Sequence, residues 1–200
     1  KNVFEKSIKL VFPVVTFFLC FSDKIMVVIY GNQYEISGVF FSIKVLENYF
    51  TLLTFSALIL SIGGQKYYYK VHMYGALILI LLQGISVQMI NSPIAILVVS
   101  VFCQIGRIFA MLVFISKYFR IKLIDLFPIK LIVEILIVCC VILFATKFLI
   151  EDILNLRPIS TLITASIVYL VFFSLWAFYR KLNYYSIVQP LVTKFFKKTK

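Results

Sequence analysis

Charged side chains set inside long apolar runs are where this sequence could do chemistry. Lys44 and Glu47 stand three residues apart within the run 36–62. On a helix that spacing places both on one face, and Thr51, Thr54 and Ser61 continue the stripe. At about 1.5 Å per residue the pair lies roughly 12–16 Å from the nearer end of the run. Two roles fit: an ion pair holding a bundle together, or the wall of a polar cavity. Ser100, Gln104 and Arg107 make a second stripe in the run 94–116. Arginine cannot shed its charge, so in apolar surroundings it must find a carboxylate, carbonyls, water or an anionic ligand. Glu47 is a natural partner for Arg107, and an anionic substrate group is the other; the two could alternate. Asp23 and Lys24 are sequence neighbours and point about 100° apart on a helix, so a simple pair is not expected. Asp23 fits either a cavity or a packing role.

Other chemistry is thinly represented. The one histidine, His72, falls between apolar runs, and Cys20, Cys103, Cys139 and Cys140 lie inside them without metal-ligand or redox spacing. There is no nucleophile elbow, phosphate-binding loop or paired catalytic carboxylate. These residues point away from an enzyme and away from a bound cofactor or metal.

The elements that must position the charged groups are membrane spans. The 200 residues are 62% hydrophobic, with a mean hydropathy of +1.04, against about 45–50% apolar in a soluble domain. A net charge of +12 can signal nucleic acid or membrane. Here the basic residues sit in short clusters between apolar runs, which is membrane topology rather than a nucleic-acid surface. A helix needs about 20 apolar residues to cross some 30 Å of hydrocarbon. Six stretches meet or approach that length: 8–30, 36–62, 74–90, 94–116, 129–150 and 159–180. The fold expected is an all-α, polytopic bundle of about six spans. Asn91-Ser92-Pro93 breaks the chain between the third and fourth, which should form a tight hairpin.

Orientation follows the loops. Fifteen Lys and Arg residues flank one side, in the N-terminal segment, after spans two and four, and in the tail; the opposite loops hold one, Arg157. Both ends of the chain are therefore expected in the cytoplasm. Four parts are expected: 1–116 as four cavity-lining helices, 117–130 as an interfacial elbow, 131–181 as two peripheral helices with few polar groups, and 182–200 as a basic tail. Lys194-Phe195-Phe196-Lys197-Lys198 in that tail suits anionic headgroups. Gly75 and Gly84 should let span three approach a neighbour closely. Glu134, about one turn into span five, suits snorkelling or a pair with Lys130. The chain begins at Lys1 without a signal-peptide layout and is expected to be a piece of a longer protein.

Three motifs carry a family resemblance: Phe12-Pro13 early in an apolar helix, the turn Ile29-Tyr30-Gly31-Asn32-Gln33-Tyr34 after Ser22-Asp23-Lys24, and Gly63-Gly64-Gln65-Lys66 after the polar-striped helix. Over roughly residues 1–150 the chain resembles the C-terminal half of bacterial polysaccharide flippases, the O-antigen and capsule repeat-unit translocases of the MATE-like, MOP exporter superfamily. The resemblance implies the last six of 12–14 helices, arranged as two lobes that rock around a central cavity. It implies an undecaprenyl-pyrophosphate-linked oligosaccharide as cargo, flipped from the inner to the outer leaflet of the bacterial inner membrane. Membrane lipids and the polysaccharide polymerase and export machinery would be partners. Cationic cavities suit such cargo, so Lys44, Arg107, Gln104 and Thr51 are the expected cavity residues. Glu47 and Asp23 are expected to balance charge or bind a coupling ion. The alternatives are another MATE-like exporter, which would favour acidic cavity residues, or a membrane scaffold or assembly subunit whose charges all pair. A membrane-embedded glycan enzyme would need a catalytic constellation, and none is evident.

Overall fold

The computed structural model describes residues 2–51, 56–123, 128–150, 157–180, 182 and 184, with side chains from Glu5 onward. Among these residues the regular structure is all helical, in the order α1 (Asn2–Cys20), α2 (Ser22–Tyr30), a 3-10 turn (Asn32–Tyr34), α3 (Ser37–Thr51), α4 (Ser56–Ser61), α5 (Gln65–Met89), α6 (Pro93–Phe119), α7 (Ile129–Lys147) and α8 (Pro158–Tyr179). By length and composition five stretches can cross a membrane: Ser37–Ser61, Gln65–Met89, Pro93–Phe119, Ile129–Ile150 and Pro158–Tyr179. A sixth is the pair α1 and α2, if the two count as one span. Large outward side chains are apolar, as a membrane or protein interface requires: Leu81 is 67%, Phe102 74% and Phe178 87% exposed. A soluble surface does not carry apolar area on this scale.

The first span differs from expectation. Its two halves meet at 74° at Phe21, whose backbone leaves the helical region (φ −111°, ψ 25°). Hydropathy reads through this break because the polar triplet Ser22-Asp23-Lys24 is short and long apolar runs flank it on both sides. Ser22 and Asp23, good helix-starting residues, open α2 instead. Span three is longer than expected. Its first turns, Gln65–Tyr74, are aromatic and polar but helical, so His72, Lys66 and Lys70 lie on α5 rather than in a loop. The hairpin is present: Asn91 takes a left-handed conformation (φ 46°) and Pro93 opens α6, where its missing N–H costs nothing. Of the elbow 117–130, residues to Phe119 continue α6 and Ile129 already belongs to α7; 124–127 and the tail anchor at 194–198 lie outside the described residues.

Two cores organise the bundle. One joins Ile8, Phe12, Phe21 and Ile25 of the first two helices to Ile135, Cys139 and Leu143 of α7 and Ala165, Tyr169 and Phe173 of α8. Helices α7 and α8, expected at the periphery, thus form one wall of the larger core. The other core sets Ile59 of α4 against Ile108, Met111, Leu112 and Ile115 of α6. Helix α3 bridges them, packing on α1, α2 and α6.

Backbone carbonyls of α1 are bound by side chains from elsewhere. Pro13 lacks the N–H that would bond the Lys9 carbonyl one turn earlier, and the Tyr184 hydroxyl donates to that carbonyl at 3.0 Å. Burial pushes the Tyr184 phenol above its ordinary value, which keeps its donor proton in place. The Tyr169 hydroxyl donates to the Pro13 carbonyl at 3.0 Å and lies 3.2 Å from Cys139 Sγ. Thr16 donates to the Phe12 carbonyl at 2.7 Å and shares a hydrogen bond of the same length with the Tyr49 hydroxyl of α3.

Candidate functional site

The α3 stripe forms as the spacing dictates. Lys44 and Glu47 are joined directly by an ion pair across one helical turn. The Thr51 hydroxyl donates to the Glu47 carbonyl at 3.0 Å, and Ser42 back-bonds to Val39 at 2.8 Å. The pair is lopsided: the Glu47 side chain is 14% exposed and that of Lys44 is 54% exposed. Thr54 lies outside the described residues. Taking Ser37–Ser61 as one span, Lys44 and Glu47 sit roughly 10 and 15 Å from its Ser37 end. The Lys44 side chain is thus more than half open to its surroundings well inside the span.

The ion pair expected between Glu47 and Arg107 does not form among the described residues. Glu47 is committed to its own helix neighbour, and Arg107, midway along α6, turns toward α5. One Nη of Arg107 donates to the Gln104 side chain a turn earlier. Its Nε is buried with no hydrogen-bond partner among the described residues. Gly75 of α5 makes room for the arginine stem: a Cβ at that position would fall 2.5 Å from Arg107 Cδ. Gly84, expected to serve the same purpose, has nothing within 4 Å of such a Cβ. A groove of about 650 Å³ runs beside Gly75 between α5 and α6, lined by Arg107, Lys70 and mostly apolar side chains. Tyr67 closes it structurally by donating to the Ala110 carbonyl at 2.9 Å and stacking on Phe114 at 4.4 Å. His72 lies alongside, 4.3 Å ring to ring from Tyr68, its Nε2 also buried without a partner among the described residues.

The third cluster is the α1–α2 bend. Contrary to expectation, Lys24 does reach its neighbour: Nζ lies 3.6 Å from Asp23 Oδ2. The flexible lysine stem overcomes the angular offset between adjacent helical positions. Asp23 Oδ1 is buried without a partner among the described residues. Lys147, at the last turn of α7, donates to the Cys20 carbonyl at 3.1 Å, where α1 stops. Asp23 packs tightly on α3, since a Cβ at Gly38 would approach Asp23 Cα to 2.6 Å.

The structure therefore separates the sequence-derived residues into three places: Lys44, Glu47 and Thr51 on α3; Gln104 and Arg107 on α6; Asp23 at the bend. Only Arg107 of the six lines the groove. Glu134 pairs with Arg180 at the end of α8 rather than with Lys130, and this carboxylate raises the affinity of the Arg180 guanidinium for its proton. Sequence reasoning passed over Lys147 and Lys70. A basic residue in the last turn of an apolar helix marks Lys147 in the sequence, but the carbonyl it meets belongs to α1, 127 residues earlier, and no local signal names that partner. Among the described residues, no three His, Cys, Asp or Glu side chains converge as metal ligands.

Comparison with known proteins adds no identity to this geometry: no family model, no curated protein and no solved structure matches the chain.

Proposed function

We propose that this chain belongs to a transporter that flips undecaprenyl-pyrophosphate-linked oligosaccharide units across the bacterial inner membrane, with the chain forming one lobe of a MATE-like exporter and both its ends in the cytoplasm. The observation that carries this reading is the Lys44–Glu47 pair, held inside a span with the Lys44 side chain 54% exposed. A charge at that depth is costly against lipid and ordinarily faces protein or a watery cavity. On this reading the exposed side of α3 looks into the transport pathway. Lys44 draws the pyrophosphate or an acidic sugar inward, and Glu47 holds the lysine when no cargo is present. Exchange of one anion for the other lets cargo enter and leave without stranding a bare ammonium. Thr51, exposed one turn further on, adds a hydroxyl to the same wall.

A scaffold or assembly subunit is the second reading. It is favoured by the ion pairs Asp23–Lys24, Lys44–Glu47 and Glu134–Arg180, which tie Asp23, Glu47 and Glu134 to cations of the same chain. Complementation separates the two. The gene is expressed in a bacterium lacking its repeat-unit flippase, and surface glycan is stained. Restoration that is lost in Lys44→Ala at equal membrane abundance supports transport through the α3 face. Restoration that survives Lys44→Ala and Glu47→Gln removes that face from the pathway. No restoration with any repeat unit tried, despite good expression, moves the weight to the scaffold.

A further inference from the structure

The groove between α5 and α6 poses a charge problem separate from α3. Between Glu47 and Asp125 the sequence contains no acidic residue, so neither helix of the hairpin can neutralise its own cations. Arg107 stands midway along α6 with five N–H donors. The acceptor found for it among the described residues is the neutral Gln104, and its Nε is buried and unpartnered. An uncompensated guanidinium in apolar surroundings is costly unless an anion joins it. Lys70 enters the same groove about five residues, or some 7–8 Å, nearer the helix end than Gly75, which packs on Arg107. Beyond Arg107 the lining turns wholly apolar, with Ile78, Leu82 and Phe102. The volume falls within the usual range of small-molecule sites, and the Tyr67 contacts to α6 hold the walls in place without a ligand.

We infer that this groove is a binding site for one anionic membrane lipid, its phosphate between Lys70 and Arg107 and an acyl chain along Ile78, Leu82 and Phe102. The pattern is that of an amphiphile: two cations at one end, an apolar trough at the other, and an open flank facing the bilayer. A planar guanidinium suits a phosphate, which can accept two parallel bonds from it. The site is independent of transport, since a scaffold would hold the same lipid.

Native mass spectrometry of the full chain tests this, with the protein released from maltoside micelles doped with equal phosphatidylglycerol and phosphatidylcholine. The expected result is one retained phosphatidylglycerol per chain, at least ten times more abundant than phosphatidylcholine. Arg107→Gln should bring that preference close to one. Gly106→Leu keeps both cations and fills the groove from a position where an added Cβ meets nothing within 4 Å; it should abolish retention while leaving the protein monodisperse. Equal retention of the two lipids, or phosphatidylglycerol surviving both substitutions, would overturn the assignment. Inorganic phosphate competing away the lipid at equal concentration would also overturn it, reducing the groove to a site for a bare anion.

Discussion

The hydroxyl of Tyr184 supplies the hydrogen bond that Pro13 takes away from the carbonyl of Lys9, at 3.0 Å. The proline breaks the α1 ladder one turn after Lys9, and a phenol from beyond α8 closes the gap. Tyr184→Phe should destabilise the protein by about 1–3 kcal/mol, the cost of leaving a shielded acceptor unmet. The cost should shrink in a Pro13→Ala background, where the helix can bond its own carbonyl. A double-mutant cycle on unfolding in mixed micelles reads the coupling. Additive effects would mean that the two residues are not linked through that carbonyl.

The same phenol predicts a response to alkaline pH. Its proton is held more tightly folded than unfolded, because burial raises its pKa. The unfolded chain therefore loses that proton first, from about pH 10, and stability falls as pH rises above that point. Tyr184→Phe should lessen this decline. Chemical unfolding at a series of pH values checks it.

Gly38 and Gly84 should respond oppositely to alanine. At Gly38 the new methyl meets the Asp23 backbone at 2.6 and 2.8 Å, which cannot swing aside as a side chain would. A loss of about 1–3 kcal/mol is expected as α2 is pushed from α3. At Gly84 nothing lies within 4 Å, so alanine should be neutral or stabilise α5 by up to about 1 kcal/mol. Melting temperatures of the two variants should move apart from the parent in different directions or, at the least, only Gly38→Ala should fall.

Lys147→Met should loosen the bend between α1 and α2, because it removes the ammonium donor to the Cys20 carbonyl. The expected loss is about 1–3 kcal/mol, with most of it recovered in Lys147→Arg. Unfolding midpoints of the two variants give the comparison. Equal losses would point to the fit of the native lysine side chain rather than to its charge or the donated bond.

If the exposed side of α3 is wetted, Lys44→Cys should react with a water-soluble maleimide above the level set by the native thiols. Leu81→Cys, on the open apolar face of α5, should not. Equal labelling of both, or of neither, in intact membrane vesicles would argue against a hydrated pathway along α3.

Much of the fold was written in periodicity and length. Spans at 129–150 and 159–180 appear as α7 and α8 within a few residues, and Asn91-Ser92-Pro93 ends one helix and starts the next. What hydropathy could not register was direction. The bend at Phe21 has no proline, and its local signal, the helix-starting Ser22 and Asp23, is outweighed in a hydropathy average by the apolar runs on either side. The length of α5 is not legible because its first ten residues are aromatic and polar, and contacts such as those of Tyr67 to Ala110 and Phe114 hold them helical against α6. Charge partners were least legible. Glu134 and Arg180 are 46 residues apart, and nothing local favours that pair over Glu134 and Lys130. Arg107 lies midway along α6, and its turn toward Gly75 depends on the register of a hairpin that sequence spacing alone leaves open.

The reach of the bonds that fasten α1 sets an order of assembly. The contacts of Cys20, Pro13 and Lys9 are to residues 127, 156 and 175 positions later. The α5–α6 hairpin, in contrast, is tied across 43 positions by Tyr67 and Ala110. Short loops close before long ones, so as the chain leaves the ribosome the hairpin settles first. The contacts that fasten α1 therefore form after that hairpin is in place. Until Tyr184 emerges, Lys9 keeps a carbonyl that the hydrocarbon core cannot satisfy. During synthesis that end of α1 must stay near water or in the shelter of the insertion machinery. A ribosome stalled after Tyr179 would leave α8 complete and α1 without its bond from Tyr184.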